Sequence, residues 1–161
     1  MAVKSQGGAI VWFTLLLALF LEVMPLPEWF QAFRPNWLLV VLSYWALAIP
    51  QRYGVLTACG LGIFLDVLLG ATIGSRGLAL SIIIYLIALN YQRIRNFMIW
   101  QQIGMIGMAS LFYFLTLYWI QYILSSVPFQ PMMLLSVVST MVIWPWMYWL
   151  LRQIRRRFKV K

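Results

Sequence analysis

The chain has 161 residues, 64% of them hydrophobic and 9% charged, with twelve Lys and Arg against three acids and a net charge of +9. So few polar groups cannot cover a water-soluble globule of this size, so the composition describes an integral membrane protein. His is absent and Cys59 is the only cysteine, which excludes an internal disulfide and makes a His/Cys metal site untenable.

Six segments are apolar enough to be read as membrane helices, since about 20 residues span the hydrocarbon and about 17 can suffice. The first, Ala9 to Met24, carries Glu22 and ends in Pro25 and Pro27 without a small-residue cleavage pattern, so it is expected to stay in the mature chain. In the following loop Leu26, Trp29, Phe30 and Phe33 fall at helical spacing, which predicts a turn or two lying on the membrane boundary as an aromatic anchor. The second segment, Trp37 to Ile49, is closed by Pro35 and Pro50. It spans only if its flanks count and Arg34 and Arg52 snorkel outward.

The third segment, Gly54 to Gly70, holds Asp66 well inside an apolar run. An Asp near mid-helix costs roughly 2.5–3.5 kcal/mol on insertion scales, so the folded protein must offset it. Ala58, Gly62, Asp66 and Gly70 recur every four residues on one stripe, and Gly74 continues the spacing into the next loop. Small residues at that spacing let a second helix approach to backbone distance, so Asp66 is expected to face protein. Its expected counter-charge is Arg76, with Arg34 or the backbone N–H groups near Gly74 and Gly77 as alternatives. Either it locks helix packing or it belongs to a substrate or ion site.

The fourth segment runs from Gly77 to Tyr91, the fifth from Phe97 to Leu124 and the sixth from Met132 to Leu151, with Pro145 inside. The fifth is longer than a bilayer needs and carries Gln101, Gln102, Gly104 and Gly107, candidates for a partner-binding groove. With six spans, one side receives Lys4, Arg52, Arg93, Arg95 and the cluster Arg152, Arg155, Arg156, Arg157, Lys159 and Lys161. The other receives Arg34 and Arg76. The positive-inside rule then puts both termini in the cytoplasm. The expectation is one integral domain over residues 1–161, with 152–161 as a basic cytoplasmic tail that sets topology and rests on anionic lipid. Nothing beyond charge suggests nucleic-acid binding.

Catalysis would need a nucleophile with a base, or paired carboxylates. The only such pair available is Glu22 with Asp66, and no catalytic signature accompanies it, so the chain reads as a non-enzyme without a cofactor.

Arg34-Pro35-Asn36-Trp37 opening the second segment, the run from Gly60 to Leu80 around Asp66, Trp100-Gln101-Gln102, and Trp144-Pro145-Trp146 together resemble the bacterial rod shape-determining MreD family over nearly the whole chain. The resemblance implies a non-catalytic inner-membrane subunit of the cell-elongation machinery. Its implied partners are the single-span protein MreC, the synthase RodA with a class B penicillin-binding transpeptidase, the filament MreB and the adaptor RodZ. It also implies an all-α fold of six transmembrane helices like the substrate-binding subunit of energy-coupling-factor transporters, which keeps a small-solute-binding transport subunit as the alternative function. The motif residues carried by the resemblance are Arg34, Pro35, Asn36 and Trp37, then Gly62, Asp66, Gly70 and Gly74.

Overall fold

A computed structural model describes residues 7–126 and 128–160; Lys4 and Lys161, counted above among the topology-setting cations, lie outside them. Among the described residues the chain forms eight helices: α1 (Gly8–Val23), α2 (Glu28–Gln31), α3 (Trp37–Ala48), α4 (Val55–Leu69), α5 (Ser75–Leu89), α6 (Tyr91–Arg95), α7 (Ile99–Ser125) and α8 (Met133–Arg157). The expected architecture of six membrane-spanning helices is not what the structure contains. By length and composition two helices are able to cross a bilayer, α7 with 27 residues and α8 with 25. At 1.5 Å per residue these reach roughly 40 and 37 Å, against about 30 Å of hydrocarbon.

The other long helices stop short for local reasons. The 12 residues of α3 lie between Pro35 and Pro50. The 15 residues of α4 end at Gly70, which adopts a left-handed conformation (φ +62°). There the Ala71 N–H donates to the Asp66 carbonyl (3.0 Å) and the Gly70 N–H to the Val67 carbonyl (3.3 Å), the paired bonds of a Schellman stop. A second left-handed glycine, Gly74 (φ +92°), starts α5. The turn from 70 to 74 thus reverses the chain where the residue spacing alone reads as one continuing stripe.

Burial explains the architecture further. Every residue of α3 from Leu38 to Leu47 is buried, so this helix is the enclosed core element. Its neighbours are α1, α5, α6 and α8, while α4 pairs with α5 and α7 with α8. A helix apolar on all faces is the signature of complete burial, whether in protein or in lipid. The outward faces carry Phe13, Leu16 and Phe20 on α1, Met108 and Trp119 on α7, and Trp146 and Trp149 on α8. An exterior this apolar suits lipid or protein contact and not water.

The tightest contact is between α4 and α5. A Cβ placed on Gly62 would run into the Gly77 Cα and would lie 2.6 Å from the Gly77 nitrogen. One placed on Gly77 would lie 2.9 Å from Ile63 Cγ1 and 3.1 Å from the Cys59 carbonyl. The two backbones therefore touch, and no side-chain rotation relieves an added methyl. Gly62→Ala is expected to destabilise the purified protein by about 1–3 kcal/mol, read as a lowered thermal midpoint in detergent. Gly60→Ala, two residues away with open space around it, should leave the midpoint unchanged or raise it slightly.

Candidate functional site

Asp66 has no exposed surface and accepts four bonds. Its Oδ2 receives the backbone N–H groups of Gly74 (3.0 Å) and Arg76 (3.1 Å). Its Oδ1 receives the Ser75 hydroxyl (3.3 Å) and the Arg76 guanidinium Nη1 (3.2 Å). The carboxylate thus caps the N-terminus of α5, where free amides and the helix dipole favour negative charge, and neutralises the arginine of the same turn. Arg76 is the cation that meets it, and Arg34 lies elsewhere. Ser75 was not singled out by the residue pattern; its position one residue before the arginine is the signal that was available.

The Arg34-Pro35-Asn36-Trp37 motif makes a second knot. Arg34 Nη2 donates to the carbonyls of Leu21 (3.0 Å) and Met24 at the C-terminal end of α1, where a cation complements the dipole. The Arg34 carbonyl accepts the Ser136 hydroxyl of α8. The Asn36 N–H donates to Thr140 Oγ1 (3.1 Å), and its amide reaches Ser110 of α7 (3.4 Å). One short strap therefore joins α1, α3, α7 and α8. Pro35 is buried within it, and Trp37 opens α3.

Between these knots lies a chamber of about 330 Å³, lined by Glu22, Glu28, Gln31, Arg34, Asn36 and Arg76 among others. Glu22 accepts a single long contact from the Leu38 N–H (3.5 Å). Arg34 Nε is buried without a hydrogen-bond partner. Asp66 is not among the lining residues, so the acid pair Glu22 with Asp66 does not share this space.

The remaining candidates are distributed. Gly62 packs on Gly77, whereas Gly70 and Gly74 have open space around them and serve the turn. On α7, Gln101 Oε1 accepts the Met98 N–H (3.1 Å) and starts the helix. Gln102 is buried and donates to the carbonyls of Ile94 (3.3 Å) and Phe97 (3.4 Å). Gly107 faces Met141 of α8, while Gly104 is exposed with nothing within 4 Å of an added Cβ. Arg152, Arg155, Arg156 and Arg157 lie on α8, which continues helically past Leu151 to Arg157. Among the described residues no group of three His, Cys, Asp or Glu comes together as a metal site.

These features define a class: an all-helical, multi-pass membrane protein whose buried carboxylate is spent on joining helices. The chain matches the model of the family described as rod shape-determining protein MreD over residues 4–154. It is 35% identical over 153 residues to the rod shape-determining protein MreD of Haemophilus influenzae, covering 92% of this chain and 94% of that protein. The chain belongs to the MreD family, whose members are non-catalytic membrane proteins of cell-shape determination. No solved structure matches it. The expected likeness to the binding subunits of energy-coupling-factor transporters thus has no structural support, and the short, enclosed α3 departs from a uniform six-span layout.

Removing the Asp66 carboxylate leaves the Arg76 guanidinium, with 21% of its side chain exposed, beside empty acceptor positions. Asp66→Ala is expected to cost about 3 kcal/mol, the lower end for breaking a buried pair, and to lower the thermal midpoint accordingly. Asp66→Asn keeps one oxygen for the two backbone N–H groups and loses the ion pair. It should fall between wild type and Asp66→Ala in the same melt, and equal melting of all three would remove the carboxylate from the stability of the bundle.

Proposed function

We propose that this protein is an inner-membrane scaffold of the cell-elongation complex that docks MreC and so supports lateral peptidoglycan synthesis and rod shape. The observation that carries this reading is the complete use of Asp66 in four intramolecular bonds. A carboxylate so held has no role in acid–base chemistry or ion passage, and the outer surface becomes the functional part. In lipid a single-span partner is recruited by close packing and polar contacts. The outward stripe of α7 around Gly104, bounded by Trp100 and Met108, offers a place for the MreC helix. The chamber lined by Glu22, Arg34 and Arg76 offers charged groups to its outer juxtamembrane segment. RodA with its class B transpeptidase is reached through MreC, and MreB and RodZ from the cytoplasmic side.

Both termini are assigned to the cytoplasm. Gly7, before α1, packs against Val160, after α8, so the two ends of the described chain share one side. Arg95, Arg152 and Arg155 line a cavity together on that side, in keeping with the positive-inside bias. The chamber with Arg34 and Arg76 then faces outward.

Gly104→Leu tests docking apart from folding, because Gly104 is exposed and an added Cβ there meets nothing within 4 Å. Its thermal midpoint should match wild type while MreC recovered with it falls roughly fivefold or more, the equivalent of about 1 kcal/mol at a membrane helix contact. Wild-type recovery of MreC with this variant would exclude the α7 stripe as the docking face.

A further inference from the structure

At the end opposite the Asp66 knot, α3, the bend between α6 and α7, and α8 enclose a cavity of about 710 Å³. Three guanidinium groups line it, Arg95, Arg152 and Arg155. No acid accompanies them: Glu22 and Glu28 line the other chamber and Asp66 is bonded to Arg76. Arg95 and Arg152 are exposed at its mouth and Arg155 is half-buried, and three cations gathered around one cavity repel one another less when an anion lies between them. Guanidinium forks match phosphate oxygens in pairs.

The wall itself is mostly apolar. Gln102, on the cavity wall, is 3% exposed, and its amide nitrogen is committed to the Ile94 and Phe97 carbonyls. Its Oε1 is buried with no donor. That oxygen is sealed inside the wall, so Gln102 holds the bend between α6 and α7 and not a ligand. The rest of the wall is apolar, with Leu47, Ile99, Pro145 and Trp149, and Tyr44 and Tyr148 meet edge to face at 5.5 Å. Phe97 also borders an adjoining apolar groove of about 410 Å³ between α5 and α7. A soluble phosphate would leave these surfaces unused, whereas acyl chains would cover them.

We infer that this cavity binds an anionic phospholipid, its phosphate held by Arg95, Arg152 and Arg155 and its acyl chains against the apolar wall. A phosphoglycerol headgroup brings the phosphate charge without a cation of its own. The site rests on the reading above only in placing this end at a membrane boundary, and its test in detergent is independent of MreC docking. Binding of phosphatidylglycerol to the full-length purified protein is measured by native mass spectrometry and by thermal shift, beside phosphatidylcholine and inorganic phosphate. Phosphatidylglycerol alone should be retained and raise the midpoint.

Arg152→Gln and Arg155→Gln should each weaken retention roughly fivefold, the contribution expected of one cation near an anionic lipid. Arg157→Gln, outside the cavity lining, should leave retention unchanged. Equal weakening by Arg157→Gln would reduce the effect to diffuse tail charge and overturn the site. Equal stabilisation by inorganic phosphate would make it a soluble-anion site, and equal retention of phosphatidylcholine would remove the role of the arginines. Because the inorganic-phosphate and phosphatidylcholine comparisons use the wild-type protein, they decide the matter even if a variant fails to fold.

Discussion

A carboxylate with no exposed surface governs this structure, because it is tolerable only while its bonds to Gly74, Ser75 and Arg76 are all in place. Those partners belong to the first turn of α5, and they reach Asp66 only because α4 and α5 approach until Gly62 meets Gly77. The approach in turn needs the reversal between the left-handed residues Gly70 and Gly74. Helix stop, turn, helix start and helix contact are therefore one coupled unit. An isolated buried charge would be far more costly than any one of these contacts is favourable.

The strap from Arg34 to Asn36 solves a different problem at the same end of the molecule. Membrane helices gain little from apolar exclusion against lipid, so polar contacts between them have to fix their relative positions. The polar atoms of the strap that bond outward reach three helices: Arg34 bonds to α1 and α8, and Asn36 to α7 and α8. The hydroxyls it uses, Ser110, Ser136 and Thr140, are all buried. Beyond its start α3 packs as an enclosed, mostly apolar rod between the outer chamber and the basic cavity, tied once more to α1 where Trp45 Nε1–H donates to Thr14 Oγ1 (3.0 Å).

Family membership was legible in the residues themselves, because Arg34-Pro35-Asn36-Trp37 and the glycine run around Asp66 are unusual in order and spacing. The count of spanning helices was not. The run from Leu38 to Leu47 is apolar on every face, and burial in protein and burial in lipid leave the same pattern. The spacing of Gly62, Asp66, Gly70 and Gly74 reads as one helical stripe, yet two of those glycines are there for positive φ, which periodicity does not encode. The hydroxyl partners were silent for another reason. A single Ser or Thr in an apolar helix satisfies itself on the preceding turn, as Ser81 does on Gly77, so its interhelical bond becomes visible only once the helices are assembled. The basic end beyond Leu151 reads as a tail by charge, while the helical hydrogen bonds continue to Arg157.

The two ends of the molecule are joined mechanically through α8. Its first turns hold the strap through Ser136 and Thr140, and its last turns carry Arg152 and Arg155 into the basic cavity. Between them stands Pro145, which lines that cavity and has no N–H to give to the preceding turn. The helix is thus least restrained by its own backbone where the cavity wall begins, and Met141, one turn earlier, is pinned against Gly107 of α7. The segment before Pro145 is fixed by the strap and by α7, whereas the segment after it carries the arginines of the cavity.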